Sequence, residues 1–127
     1  MPLVRIDLPQ SVDARMASRI GEAIHKAMTE LINVPRDDKF QIFARQSPEE
    51  RNLTSEYLGI RYSDNLMLIQ ITLNQGRTVE LKKAFYRRVA SDLSELGVRP
   101  QDVFINLVEV AKENWSFGNG EMQYAPQ

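Results

Sequence analysis

Residues 66–73 read Leu66-Met67-Leu68-Ile69-Gln70-Ile71-Thr72-Leu73, apolar at nearly every position. Such a short, near-continuous run reads as a strand covered on both faces. On its C-terminal side, Asn74-Gln75-Gly76-Arg77 forms a turn, and Thr78 offers a helix cap. Leu81, Phe85, Val89, Leu93 and Leu96 then recur at spacings of three and four, which predicts an amphipathic helix stopped by Gly97. Val103–Val110 (VFINLVEV) is a further strand. The C-terminal half is therefore strand, helix, strand.

The N-terminal half has the same order. Leu3–Leu8 alternates, with Val4, Ile6 and Leu8 on one side and Leu3, Arg5 and Asp7 on the other, and Pro9 ends it. Ser11 is positioned as an N-cap with Asp13 in the first turn. Met16, Ile20, Ala23, Ile24, Ala27 and Leu31 form a helical stripe that ends near Asn33, and His25 beside Ile24 reads as a helix-surface residue. Lys39–Ala44 is the next strand. Residues 46–64 are polar and broken by Pro48, Gly59 and Ser63-Asp64-Asn65, a long loop with a short strand within Tyr57–Tyr62.

The halves are also self-similar. Val34, Asp38 and Phe40 recur as Val98, Asp102 and Phe104, each pair 64 residues apart, and Leu66 stands 64 residues after Pro2. This predicts one α/β domain over residues 1–127: β-α-β repeats at about 2–45 and 65–110, and a tail at 111–127. Right-handed crossovers make the strands within each half parallel, giving a four-stranded, mainly parallel-paired sheet with both helices on one face. The other face, bearing Arg5 and Asp7, then needs a cover, and a second copy of the chain is the simplest one.

Composition narrows the function. The chain has 127 residues, 43% apolar and 26% charged, enough for one folded core. A net charge of −1 lacks the electrostatic footprint of a nucleic-acid binder. The cluster Lys82, Lys83, Arg87 and Arg88 reads as a solvated helix face. No apolar run approaches the ~20 residues that span a bilayer, and Met1–Ile6 lacks the pattern of a secretory signal. The absence of cysteine and the single histidine disfavour thiolate chemistry and a zinc site. The expectation is a cytoplasmic protein that binds neither nucleic acid nor membrane and holds no metal or cofactor.

A proline directly after the initiator Met, opening the first strand of a duplicated β-α-β chain, resembles the tautomerase superfamily. Val34-Pro35-Arg36-Asp37-Asp38-Lys39-Phe40-Gln41 and Asn114-Trp115-Ser116-Phe117-Gly118-Asn119-Gly120 look most like its malonate semialdehyde decarboxylase group. The resemblance implies that Met1 is removed and that the Pro2 nitrogen becomes the catalytic group. It puts Asp38 on that group's catalytic aspartate and Arg77 on the second of two active-site arginines. Trp115, Phe117 and Tyr124 fall on the aromatic wall of the substrate pocket. Gln75 occupies the place of the first arginine, a departure from the pattern. The resemblance also implies a homotrimer with active sites near subunit boundaries.

The chemistry of these residue types agrees. An α-amino group titrates near 7.7–8.0, so a terminal proline amine can exchange protons close to neutral pH. An arginine and an apolar wall lower its pKa, and a carboxylate raises it. Arg77 beside a helix N-terminus suits a carboxylate, so the expected substrate is a small anionic oxo acid. Three readings follow: a keto–enol tautomerase, a malonate semialdehyde decarboxylase or hydratase, and a non-catalytic interaction protein on the same scaffold. Gln75 carries no charge to stabilise the enolate left by CO2 loss, which weakens the second reading more than the first.

Overall fold

The computed structural model describes residues 1–125. Its strands and helices are β1 (Leu3–Pro9), α1 (Ala14–Leu31), β2 (Gln41–Gln46), β3 (Glu56–Tyr57), β4 (Ile60–Arg61), β5 (Met67–Asn74), α2 (Val79–Ser94) and β6 (Val103–Val110). The main sheet has the order β2-β1-β5-β6. β1–β2 and β5–β6 pair in parallel, as a strand–helix–strand crossover allows, while the two central strands β1 and β5 meet antiparallel. The sheet is thus mixed, with two of its three pairings parallel.

Alternation selects the buried face. Val4, Ile6 and Leu8 of β1 and Met67, Ile69, Ile71 and Leu73 of β5 point into one core. Ile20, Ile24, Ala27 and Met28 of α1 and Phe85, Val89 and Leu93 of α2 close it from above. Each fully buried Leu, Ile or Phe contributes about 1.5–3 kcal/mol. No helix among the described residues is long and apolar enough to cross a membrane.

The opposite face is mixed in character. β5 is apolar at successive positions, but its outward residues are Leu68, Gln70 and Thr72, and Gln70 donates to Asn106 Oδ1 at 3.1 Å. Asp7 accepts from Gln46 Nε2 at 2.7 Å. This face is a mixed surface of polar ladders beside Ile42, Phe104 and Val108, which stay exposed.

Other boundaries also shift. The N-cap of α1 is Asp13, which accepts from the Met16 amide at 2.8 Å, and not Ser11. Ser11 sits in the turn that leaves β1, two residues too early to reach the first free helix amides. Pro9 does not end β1 before itself but is its last residue, in register with Gln46. The strand read within Tyr57–Tyr62 is a two-stranded hairpin, β3 and β4, which turns at Leu58 and Gly59, both at positive φ. His25 is not on the surface: it is 7% exposed, covered by the segment that returns from α1 to β2.

Asp102, the repeat mate of Asp38, is 1% exposed. It accepts from the Ser63 amide at 2.9 Å and the Ser63 hydroxyl at 2.5 Å, with Arg99 Nη1 at 3.4 Å. Asp102 thereby ties the long connection to the start of β6. Asp102→Ala leaves the Ser63 donors without their acceptor and is expected to cost about 2–3 kcal/mol. A urea midpoint unchanged from wild type would refute that.

Candidate active site

β1 runs parallel to β2 and begins at the chain terminus, so the terminus lies beside the segment that enters β2. Val4 donates its amide to Phe40 O at 2.9 Å, which pins the two together. Pro2 is buried, and the Met1 amine lies 4.0 Å from Asp38 Oδ2. With Met1 attached, the Pro2 nitrogen is a tertiary amide without basicity; with Met1 gone it is a secondary amine.

Four charges meet here. Partial burial, the largest effect, pulls the terminal amine below the ordinary range of an α-amino group. Asp38 opposes this, and Arg77 and then Lys112 add to it. Sequence reasoning reached Asp38 and Arg77 but not Lys112. The only signal for Lys112 was its place just after β6, which lies parallel to β5 and so ends on the same side as the turn bearing Arg77.

Arg77 is held rigidly. Its Nε donates to Ile32 O and its Nη1 to Asn74 O, both at 2.9 Å. These bonds fix the guanidinium plane between the end of α1 and the end of β5, while Thr78 caps α2 by accepting from the Leu81 amide at 3.2 Å. Gln75 lies on the same turn, its amide donating to Val110 O at 3.0 Å and the residue exposed.

The tail joins this end of the sheet through Asn74, a second residue that sequence reasoning missed. Trp115 Nε1 donates to Asn74 Oδ1 at 2.8 Å. Trp115 stacks on Phe117 at 5.4 Å, and Phe117 meets Tyr124 edge-on at 5.1 Å. One residue, Asn74, therefore anchors the aromatic wall with its side chain and Arg77 with its carbonyl. Trp115→Phe keeps a stacking ring but loses the indole donor. Its expected cost is about 1 kcal/mol of stability, read by thermal unfolding.

Pro2 is buried, and Asp38 and Arg77 are half-buried. A cavity of about 410 Å³ lies near the other end of β1, lined by Pro9, Gln46, Arg51 and Asn65, and includes none of these residues.

The family model described as tautomerase enzyme matches residues 38–118. The chain belongs to the tautomerase superfamily of enzymes. Among tautomerase relatives, it is 44% identical over 124 residues to probable tautomerase YusQ of Bacillus subtilis (strain 168), covering 97% of this chain and 98% of that one. Probable tautomerase YrdN of the same organism is 33% identical over 126 residues, with 98% and 96% covered. A solved malonate semialdehyde decarboxylase, FG41, inhibited by 3-bromopropiolate, superposes with a TM-score of 0.88 at 34% identity, covering 96% of this chain and 93% of that chain. A second malonate semialdehyde decarboxylase, described for decarboxylase and hydratase activities, superposes at 0.86 with 29% identity, covering 96% and 95%. The tautomerase fold, with both helices on one side of a four-stranded sheet, is the one these enzymes share.

Proposed function

We propose that this tautomerase-superfamily enzyme catalyses proton transfer on a small anionic oxo acid, a keto–enol tautomerisation, with Pro2 as the acid–base group once Met1 is removed. The observation that supports the reading is the Met1 amine, one residue from the Pro2 nitrogen, lying 4.0 Å from Asp38 Oδ2 and within the field of Arg77, its proton affinity lowered by burial. A lowered pKa leaves the amine free to accept a proton near pH 7. In this reading Arg77 binds the substrate carboxylate or stabilises the enolate oxygen as charge develops. Asp38 moderates the amine, and Gln75 donates a neutral hydrogen bond. Trp115, Phe117 and Tyr124 exclude water from the reacting atoms. The enzyme works as a cytoplasmic homotrimer in which neighbouring copies cover the mixed sheet face and close the site. A sedimentation mass three times that of one chain is the expected result for the assembly.

A second reading, decarboxylation or hydration, draws on the similarity to the two malonate semialdehyde decarboxylases. Gln75 weighs against it, since it offers no second cation for the enolate. The test uses mass-verified, Met-free protein in D2O, with phenylpyruvate and malonate semialdehyde in separate tubes, followed by proton NMR beside Pro2→Ala. Proline-dependent enol–keto conversion or deuterium uptake without acetaldehyde supports the tautomerase. Proline-dependent acetaldehyde moves the assignment to the lyase. Silence with every oxo acid tried leaves the non-catalytic scaffold.

A further inference from the structure

His25 is the one buried imidazole in the chain, and it makes a single hydrogen bond. Its Nε2 lies 2.8 Å from Arg36 O. A carbonyl oxygen only accepts, so Nε2 carries a proton and donates it to Arg36 O. Nδ1 is buried and has no partner among the described residues. A buried polar atom without a partner costs free energy that an apolar side chain at position 25 would avoid. What the ring supplies in return is its grip on Arg36.

Arg36 stands two residues before Asp38, in the segment that crosses from α1 to β2. That segment is fixed near its start by Val34, whose amide donates to Met28 O at 3.3 Å, and at its end by the Val4 bond to Phe40 O. Between these points the chain turns, with the Asp38 amide donating to Pro35 O at 3.0 Å. The exposed Lys39–Glu22 ion pair adds an anchor beyond Asp38. The turn itself is held to α1 from below by the His25 bond to Arg36.

We infer that His25 is the positioning residue for the Asp38 carboxylate, acting through the Arg36 carbonyl to hold it against the terminal amine. Its importance for catalysis rests on the proposed function; the positioning itself does not. The charged groups acting on the Met1 amine, one residue from the Pro2 nitrogen, are Asp38, Arg77 and Lys112. Asp38 alone favours the ammonium form, so releasing the turn weakens that support and lowers the proton affinity of the amine.

The test is an NMR titration of the Pro2 amine in Met-free protein labelled with 15N-proline, which needs no substrate. His25→Leu, which lacks the donor, is expected to lower the amine's proton affinity about two- to tenfold, in the direction of Asp38→Asn. His25→Gln, which can still donate to the Arg36 carbonyl, is expected to titrate near wild type. In an Asp38→Asn background, His25→Leu is expected to produce no further shift, because the two changes act through one group. If the Leu variant does not fold, His25→Met fills similar space without a donor and serves in its place. A wild-type titration in the donor-less variant, or an equal shift with Asp38 already neutralised, overturns the inference. Inactivity of every variant with intact titration behaviour would instead count against the proposed function alone.

Discussion

Protein that keeps Met1 is expected to lose about 10²–10⁴-fold in kcat/KM relative to the processed enzyme, the usual contribution of a positioned acid–base group. An acylated Pro2 nitrogen has no basic lone pair to offer, and the amine beside Asp38 is then the primary amine of Met1, which no ring holds in place. Pro2→Ala in processed protein is expected to fall between the two. It keeps a terminal amine in the same charged surroundings but frees it to rotate away from the reacting atom. The measurement compares enol–keto conversion by samples whose intact masses differ by the one Met. Equal rates in the processed and unprocessed samples would remove Pro2 from the mechanism.

Arg77→Ala is expected to cost about 10²–10³-fold in kcat/KM, the range seen when a single donor to a developing oxyanion is lost. A guanidinium whose Nε and Nη1 are spent on Ile32 O and Asn74 O presents its remaining edge in a fixed plane. Lysine cannot reproduce that fork, so Arg77→Lys is expected to recover little. The pH profile provides a second readout. Arg77 lowers the pKa of the Met1 amine; acting in the same sense on the Pro2 amine one residue away, its removal is expected to raise that pKa and move the acid limb of kcat/KM to higher pH. Asp38→Asn does the reverse, since Asp38 raises the pKa, and moves the limb to lower pH. Limbs that move together, or not at all, would refute the electrostatic roles assigned to both.

Sequence periodicity carried the layers of this molecule further than its edges. The stripe Leu81, Phe85, Val89 and Leu93 and the alternation Val4, Ile6 and Leu8 predicted core positions because burial follows directly from period. The antiparallel meeting of β1 and β5 was not legible, because nothing local records how two β-α-β units face each other. The second face of residues 66–73 was legible only in outline: Leu68 shares it with the polar Gln70 and Thr72, which the near-continuous apolar run does not record. His25 was misread because its cover is a segment that returns 11 residues later. Pro2, Asp38 and Arg77 were legible through family resemblance and terminal-amine chemistry. Asn74 and Lys112 were not, since their contribution depends on contacts across the fold, such as the Trp115 bond to Asn74 spanning 41 residues.

Asp38 and Asp102 hold equivalent places in the two β-α-β units, yet they meet different neighbours. Asp38 faces a terminal amine at 4.0 Å; Asp102 is filled by the main-chain amide and hydroxyl of Ser63. β1 starts at a chain end and β5 does not, so the nitrogen ahead of Leu66 is locked in a peptide and cannot take up a proton. Head-to-tail fusion of two such units silences one of them by covalent necessity. Of the two aspartates, one faces an amine and the other is occupied by Ser63 of the long connection. A circular permutant opened between Ser63 and Leu66 would exchange the two.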